Sequence, residues 1–431
     1  MTREGRRNRI GPLAVAALAA LVALPSLRNG FVYDDVPLIV QNDLVHRLGA
    51  WTRIWGSGYW PAGTLYRPLT IQLFNLEWIL GGGRPIVFHA VSILLMAVTA
   101  WLVWRLAHRL LPSLPATIVA ALFAVHPVHV ESVAGVVGQS ELLTAVFAML
   151  AVERFMAWRA RGTLGAGHRA ALAVLSLLAI SSKETGYVVP LLLGAAELTF
   201  FPAPRRAVAR LFLLQGGAVV AGLLLRLSVL GGLTGETPSA ALQGLSAGGR
   251  ALGMLAVVPE WARLLFWPVR LQGEYGPPAL SLTEAPVLVR LLGAVLVLLA
   301  AAVLYWGWRR QRVVAFAVLW IALSLLPVSN LLVATGLVLA ERTLFLPSAG
   351  AMLAAGALVS VLLPRLGSAP KAARIVLAGA GLGLIVAAGA WSAARSTVWR
   401  SQEVFFARLV EEAPTTYRAQ YVASLIHYGE R

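Results

Sequence analysis

Cysteine is absent from the 431 residues. That excludes disulfide frameworks, thiolate nucleophiles, cysteine-ligated zinc and iron–sulfur clusters. Charge is scarce too: Asp, Glu, Lys and Arg make up 13% of the chain, about half the share in a soluble domain. A disordered chain needs the opposite balance of charge and hydrophobicity, so disorder is ruled out with the ordinary soluble enzyme. No GxxxxGK[ST] loop and no GxGxxG turn occurs, which leaves no sign of ATP or dinucleotide use. Acidic residues are few, 19 against 36 Lys and Arg, giving a net charge of +17.

What is present is apolar. Hydrophobic residues reach 58% and the mean hydropathy is +0.76. A net positive charge of this size would suit nucleic acid if it lay on one surface. Instead the arginines sit in short turns between apolar runs, as in multi-pass membrane proteins, so nucleic acid is not an expected partner and the bilayer is. The fold class expected is an all-α polytopic membrane protein.

A crossing takes about 17–25 mostly apolar residues. Clear runs cover 10–27, 86–104, 207–230, 287–306, 313–332, 343–363 and 375–394; shorter or polar-interrupted ones cover 114–133, 141–158, 170–182, 187–201 and 251–267. The first lacks a small-x-small cleavage site and reads as a retained anchor. Positive clusters at Arg3/Arg6/Arg7/Arg9, Arg105/Arg109, Arg154/Arg159/Arg161/Arg169, Arg205/Arg206/Arg210, Arg309/Arg310/Arg312 and Arg365/Lys371/Arg374 then fix the cytoplasmic side. Run 251–267, with Glu260, Trp261 and Arg263 inside it, fits only as a re-entrant or interfacial segment. About 11 crossings remain, with the N-terminus cytoplasmic and the C-terminus outside. Of the 19 carboxylates, only Glu4, Glu153 and Glu197 fall on the arginine side. Charges at a membrane edge are costly, so their collection at the other face marks that face as functional.

Residues 1–394 form the membrane domain. Its first outer loop, 28–85, is long and rich in Trp and Tyr; residues 395–431 form a short outer tail of two helices separated at Pro414. Phe31-Val32-Tyr33-Asp34-Asp35 opens the loop. Paired carboxylates can supply a general base, a metal anchor or one of each, or merely cap a helix end. Tyr66 and Arg67 follow, the arginine suited to fork onto a phosphate or to pair with Asp34 or Asp35. His126, His129 and Glu131, then Gln139 and Glu141, end the third span and begin the fourth. Imidazole and carboxylate suit Zn, Mn or Fe, and Asp35, His129 and Glu131 are the candidate metal ligands. The spacing is not HExxH, and orienting a substrate or structural hydrogen bonding explains the set as well. Lys183-Glu184 is either a self-satisfied pair or an anion contact. Glu341-Arg342 puts a guanidinium at headgroup depth, able to hold a lipid phosphate or simply to snorkel. Glu274-Tyr275 could meet the same cavity. Gly379 and Gly383 make a GxxxG, read as a close helix contact.

FVYDDVPLIVQN, YRPLT, HPVHVESVAGVVGQSELL, SSKET and PVSN…AERTLFLPSAG, in this order, resemble the transmembrane and tetratricopeptide-repeat O-mannosyltransferases and their bacterial relatives. That family is similar in turn to the polytopic, lipid-sugar-using glycosyltransferases of the GT-C fold. The likeness covers roughly residues 30 to 350, and the tail from Trp399 through Tyr421 resembles the entry into tetratricopeptide repeats. It implies transfer of a mannose-like hexose from a polyprenyl-phosphate carrier to an extracytoplasmic acceptor, protein Ser/Thr or glycan, at a bacterial inner membrane. Asp34, or Asp35 as its partner, is the implied base of an inverting displacement, and both are the implied catalytic residues. Arg342, with Lys183 or Arg67, is implied for the phosphate. His126, His129, Glu131, Gln139, Glu141, Glu184, Glu341, Tyr66 and Glu274 are implied for the sugar and acceptor side. No organic cofactor is implied; a divalent metal is left open.

A lipid-linked polysaccharide polymerase or ligase would share this donor and topology. A transporter or flippase would instead gather polar groups near the midplane and often carry internal repeats; the polar groups here favour one face and no repeat is found.

Overall fold

The computed structural model of the chain describes residues 3–60, 65–201, 205–232, 238–277, 280–367 and 370–429. Among them the regular structure is helical, and the one β-type pairing is an isolated antiparallel bridge between Tyr275 and Leu339. We number the longer helices α1 (Arg3–Ala23), α2 (Pro68–Gly81), α3 (Pro85–Leu110), α4 (Ser113–Val125), α5 (Gln139–Ala160), α6 (Ala166–Ser182), α7 (Val189–Phe200), α8 (Arg205–Leu230), α9 (Ala247–Met254), α10 (Val258–Phe266), α11 (Val287–Arg310), α12 (Arg312–Leu325), α13 (Phe345–Gly367), α14 (Lys371–Ser396), α15 (Gln402–Glu412) and α16 (Tyr417–Gly429).

Among the described residues seven segments are long and apolar enough to cross a bilayer: Gly11–Arg28, Pro85–Leu110, Val136–Ala160, Ala209–Leu230, Val287–Arg310, Glu341–Arg365 and Lys371–Trp399. An eighth crossing arises if Ser113–Val125 and Pro127–Ala134 act together across a 47° bend. Proline explains the bend, since Pro127 has no amide hydrogen to continue α4. The all-α polytopic expectation therefore stands, whereas the count of eleven full-length spans does not follow from these helices. α6 and α12 are apolar but shorter, and α7, with 12 residues, reaches only about 18 Å at 1.5 Å per residue.

Large side chains fill the bundle interior, among them the fully buried Phe123, Phe155, Phe316, Trp320 and Phe345. The Trp320 indole donates to the Leu346 carbonyl at 2.8 Å, which removes the cost of burying its N–H. Gly350 lets α13 lie against α12, because a Cβ there would stand 2.8 Å from the Ala317 carbonyl oxygen. The GxxxG expectation fails within this chain: a Cβ at Gly379 or Gly383 would meet open space.

Run 251–267 resolves into α9 and α10, each too short to cross. α10 buries Trp261, Leu264 and Leu265 and exposes Phe266 and Trp267. Ser246, in a Gly-Leu-Ser-Ala-Gly string that spells GxSxG, accepts the Gly249 amide at 3.1 Å and caps α9. It is a helix cap, with no strand before it to make a nucleophile elbow.

The first loop has its own core of Leu38, Ile39, Val45, Ile54, Phe74 and Phe88. Asn75, on α2, donates to the Val45 and Arg47 carbonyls, both at 2.9 Å, and so ties this loop to the helix. Charge segregates along the helices. Arg105, Arg109 and Arg154 meet Glu153 at one end, while Asp34, Glu131, Glu184 and Arg342 gather at the other. The side chains of Arg3, Glu4, Arg6, Arg7, Arg9, Arg205 and Arg206 lie outside those described.

Candidate active site

Two cavities meet at the end of the bundle that carries the carboxylates. The larger, about 680 Å³, runs between the first loop, the turn after α6, α8 and the segment before α13. The smaller, about 240 Å³, lies between residues 272–277, residues 336–340 and the tail. Tyr33, Asp34, Val137, Arg342 and Arg418 line both, so Asp34 stands at their junction.

Local backbone puts Asp34 there. Tyr33 holds a positive φ of 58°, a costly conformation for a bulky residue. Its ring is clamped by Phe405 of the tail, 5.4 Å away and stacked, with the Arg418 guanidinium 5.2 Å over its centre. Asp35, at the border of the smaller cavity only, is fully buried. Its carboxylate accepts the amides of Val32 (3.1 Å), Val136 (3.3 Å) and Val137 (2.8 Å). Burial pushes Asp35 up to about 7, against the pull of those amides. The two neighbours thus divide: Asp35 staples the loop to the turn before α5, and Asp34 faces the cavities.

Arg342 is aimed by Glu131, which accepts both the Arg342 backbone amide (2.8 Å) and its guanidinium (2.9 Å). The same guanidinium lies 3.7 Å from Asp34, near but beyond hydrogen-bond length. Asp34 therefore keeps its lone pairs for another donor. Burial, the largest influence, raises the Asp34 pKa; Arg342 and Arg67 pull it down and Glu131 pushes it further up, with a net rise.

Lys183 and Glu184 do not satisfy each other. Lys183 pairs with Glu141, while Glu184 receives Arg67 at 2.8 Å and Arg226 at 3.3 Å. The turn carrying them packs so closely on α6 that a Cβ at Gly186 would fall 2.2 Å from the Ala179 carbonyl carbon. Burial pushes the Lys183 ammonium down, opposed by Glu141. Burial pushes Glu184 up, but Arg67 and Arg226 outweigh it and hold Glu184 below its ordinary range. The larger cavity accordingly presents five cations (Arg67, Lys183, Arg226, Arg342 and Arg418) against two carboxylates, Asp34 and Glu184. Leu191, Leu223, Leu332 and Val333 extend it as an apolar wall.

Other sequence candidates stand elsewhere. His126 bonds the Leu265 carbonyl at 3.1 Å and His129 the Ser348 hydroxyl at 2.7 Å, both buried and lining a separate crevice beside α1 and α14. Gln139 donates to Glu77 and to the Phe88 carbonyl, each at 2.9 Å, and lines neither cavity. Tyr66 donates to the Trp55 carbonyl at 2.8 Å. Glu341 is buried, accepting the Gln272 amide and the Tyr275 hydroxyl at 2.6 Å each. Glu274 does line the smaller cavity, pushed up to about 7 by burial, with Arg418 3.6 Å away.

The metal set is not assembled. Asp35 spends its oxygens on amides, His129 faces Ser348, and Glu131 holds Arg342. Among the described residues no three His, Asp or Glu side chains gather as a metal site would need. The residues do not fit a resident cation, and no step is derived through one.

Sequence reasoning missed Arg226, Arg418 and Glu77. Arg226 was legible as an arginine inside an apolar run, which is costly unless paired. Arg418 sits in a polar helix, and nothing in its neighbourhood marks it. Glu77 lies in the aromatic loop, where its burial (2% exposed) has no sequence signal.

The fold and the charged chamber define an all-α, multi-pass membrane protein with polar machinery at one end of its helices. Its relatives narrow that class. It is 26% identical to human protein O-mannosyl-transferase TMTC4 over 472 aligned positions, covering 95% of this chain and 62% of that protein. It is 35% identical to Tmtc1 of Drosophila melanogaster over 199, covering 44% of this chain and 23% of the relative. It is 27% identical to F38B6.6 of Caenorhabditis elegans over 363, covering 80% and 50%. The chain is similar to these protein O-mannosyl-transferases and spans less than two thirds of the length of each. No family model matches it.

Proposed function

We propose that the chain is a membrane glycosyltransferase of GT-C type. In this reading it moves a mannose-like hexose from a polyprenyl-phosphate donor to a Ser or Thr hydroxyl of a protein on the extracytoplasmic face, with the N-terminus cytoplasmic. A bacterial inner membrane is the location we infer. The observation that carries the reading is Asp34 at the junction of the two cavities with Arg342 beside it.

The larger cavity suits the donor. Its volume is within the usual range for ligand sites, its excess of cations suits a phosphate, and its apolar wall suits the start of a prenyl chain. Arg67, Arg226 and Lys183, each already anchored by a carboxylate, are pre-aimed donors rather than mobile ones. Such fixed charges act without reorganising when negative charge develops on a leaving group. The smaller cavity, walled by Glu274, Arg418 and the tail, admits the acceptor to the other side of Asp34.

The acceptor oxygen bonds to the anomeric carbon from the face opposite the phosphate. The bond from that carbon to the phosphate oxygen breaks, its electron pair leaves with the polyprenyl phosphate, and the hydroxyl proton passes to Asp34. One displacement inverts the anomeric configuration. Asp35, through the Val136 and Val137 amides, acts by holding Asp34 in position.

The test uses purified protein in detergent with polyprenyl-phosphate mannose and a Ser/Thr peptide. Mannosyl-peptide of inverted configuration is expected. Transfer to a glycan and not to peptide would replace this reading with a polymerase or ligase, and tight donor binding without turnover with a transporter.

A further inference from the structure

At the end of the bundle away from Asp34, three arginines converge on one carboxylate. Arg105 and Arg109, from α3, each direct Nε and Nη2 at Oε1 of Glu153, at 2.7–3.1 Å. Arg154 adds its Nη2 to the same oxygen at 2.8 Å and its Nε to the other. Glu153 is fully buried while the three arginine side chains are 28–31% exposed. Glu153 lies about 20 Å along α5 from Ser140, which lines the donor cavity. The cluster is therefore separate from the site described above.

The charges do not balance. Three guanidinium groups around one carboxylate leave a net of two positive charges at a membrane edge. The Nη1 group of each arginine makes no hydrogen bond to a described residue. The Trp101 ring lies 4.9 Å from the Arg105 guanidinium, an amphipathic ring of the kind that settles at headgroup level. A neighbouring pair on the same side, Arg159 with Glu197, is by contrast one to one. A basic notch between two helices at the bilayer surface, with unspent donors and an aromatic floor, has the chemistry of a phosphate-headgroup site.

We infer that this notch between α3 and α5 binds the phosphodiester headgroup of an anionic phospholipid. The lipid completes a charge cluster that Glu153 neutralises only in part. Free phosphate shares the chemistry but not the acyl chains, which would lie along the adjoining apolar faces.

The test is native mass spectrometry and thermal unfolding of the full chain in detergent, titrated separately with phosphatidylglycerol, phosphatidylcholine and inorganic phosphate. Phosphatidylglycerol is expected to bind and to raise the unfolding temperature, with phosphatidylcholine much weaker. Arg105→Gln and Arg154→Gln should each weaken phosphatidylglycerol binding about fivefold, the weight of one basic residue near a membrane surface. Glu153→Gln, which raises the net charge, should strengthen it. Should Glu153→Gln fail to fold, the two arginine variants decide alone. Equal binding of both lipids, unchanged binding in the arginine variants, or inorganic phosphate matching phosphatidylglycerol would each overturn the lipid assignment.

Discussion

Replacing Asp34 with Asn removes one proton acceptor and almost nothing else. The side chains are isosteric, and the Asp34 carboxylate makes no hydrogen bond that holds the fold; its closest charged partner, Arg342, is 3.7 Å away and remains fixed by two bonds to Glu131. The loop itself is stapled by Asp35, which the substitution does not touch. The loss should therefore appear in turnover. A positioned base contributes about 10²–10⁴-fold, equivalent to about 3–5.5 kcal/mol of barrier. Donor KM should change little, because the phosphate contacts come from arginine and lysine. The pH profile gives a second reading. A base works only when deprotonated, so the rate falls as pH drops through its pKa. Since burial raises the Asp34 pKa, that fall should begin at a higher pH than an ordinary carboxylate would give. Steady-state transfer of radiolabelled mannose to a Ser/Thr peptide, measured from pH 4 to 8 for both proteins, reads out each point. An Asp34→Asn enzyme within tenfold of wild type, or one that keeps the acid limb, would falsify the base assignment.

The buried Lys183–Glu141 pair should behave asymmetrically. Lys183→Met or Glu141→Leu alone leaves one unpaired buried charge and should cost about 3–5 kcal/mol by chemical denaturation, whereas the double variant should regain most of that stability and still lack activity through loss of the ammonium. Glu77, pushed up to about 9 by burial, is neutral at pH 7, so Glu77→Gln should leave thermal stability within about 1 kcal/mol, while Glu77→Ala, which removes one of the three acceptors around the Gln139 amide and leaves a buried void, should cost about 1–3 kcal/mol. Arg418 is half exposed, with Glu274 and the Tyr33 ring as its partners. Because Arg418 lines both cavities, Arg418→Ala should raise the acceptor-peptide KM several-fold and the donor KM by less, and an unchanged acceptor KM would remove the tail from the acceptor side.

Why some of this was legible in sequence and some not follows from the range over which each force acts. Apolar runs and arginine turns are local and one-dimensional, so the helical membrane class could be read directly. Span count was less secure, because a run such as 187–201 loses its first residues to the turn at Glu184–Val188, which leaves α7 only 12 residues. Asp34 and Arg342 were singled out for being charged at the same membrane face, and they do meet. The identity of each charge's partner was not legible. Arg67 chose Glu184 instead of Asp34, and Lys183 chose Glu141 over its neighbour. Such choices depend on a few ångströms of helix rotation that no spacing rule encodes.

The histidines show the same limit from the opposite side. His126 and His129 carry the chemical versatility that sequence reading rewards, yet His126 meets the Leu265 carbonyl and His129 the Ser348 hydroxyl inside the bundle, His129 between Phe123 and Phe345. Their segment matters through its backbone: the break at Pro127 lets Glu131 turn toward Arg342, and the turn ending at Gly138 presents the amides that hold Asp35. A Cβ at Gly138 would stand 2.3 Å from the Ser132 carbonyl oxygen, so this turn tolerates no side chain there. The motif is thus a scaffold for Asp34 assembled from two oppositely charged ties, Glu131 to Arg342 and the turn amides to Asp35. That arrangement accounts for polar residues in the motif that never reach either cavity.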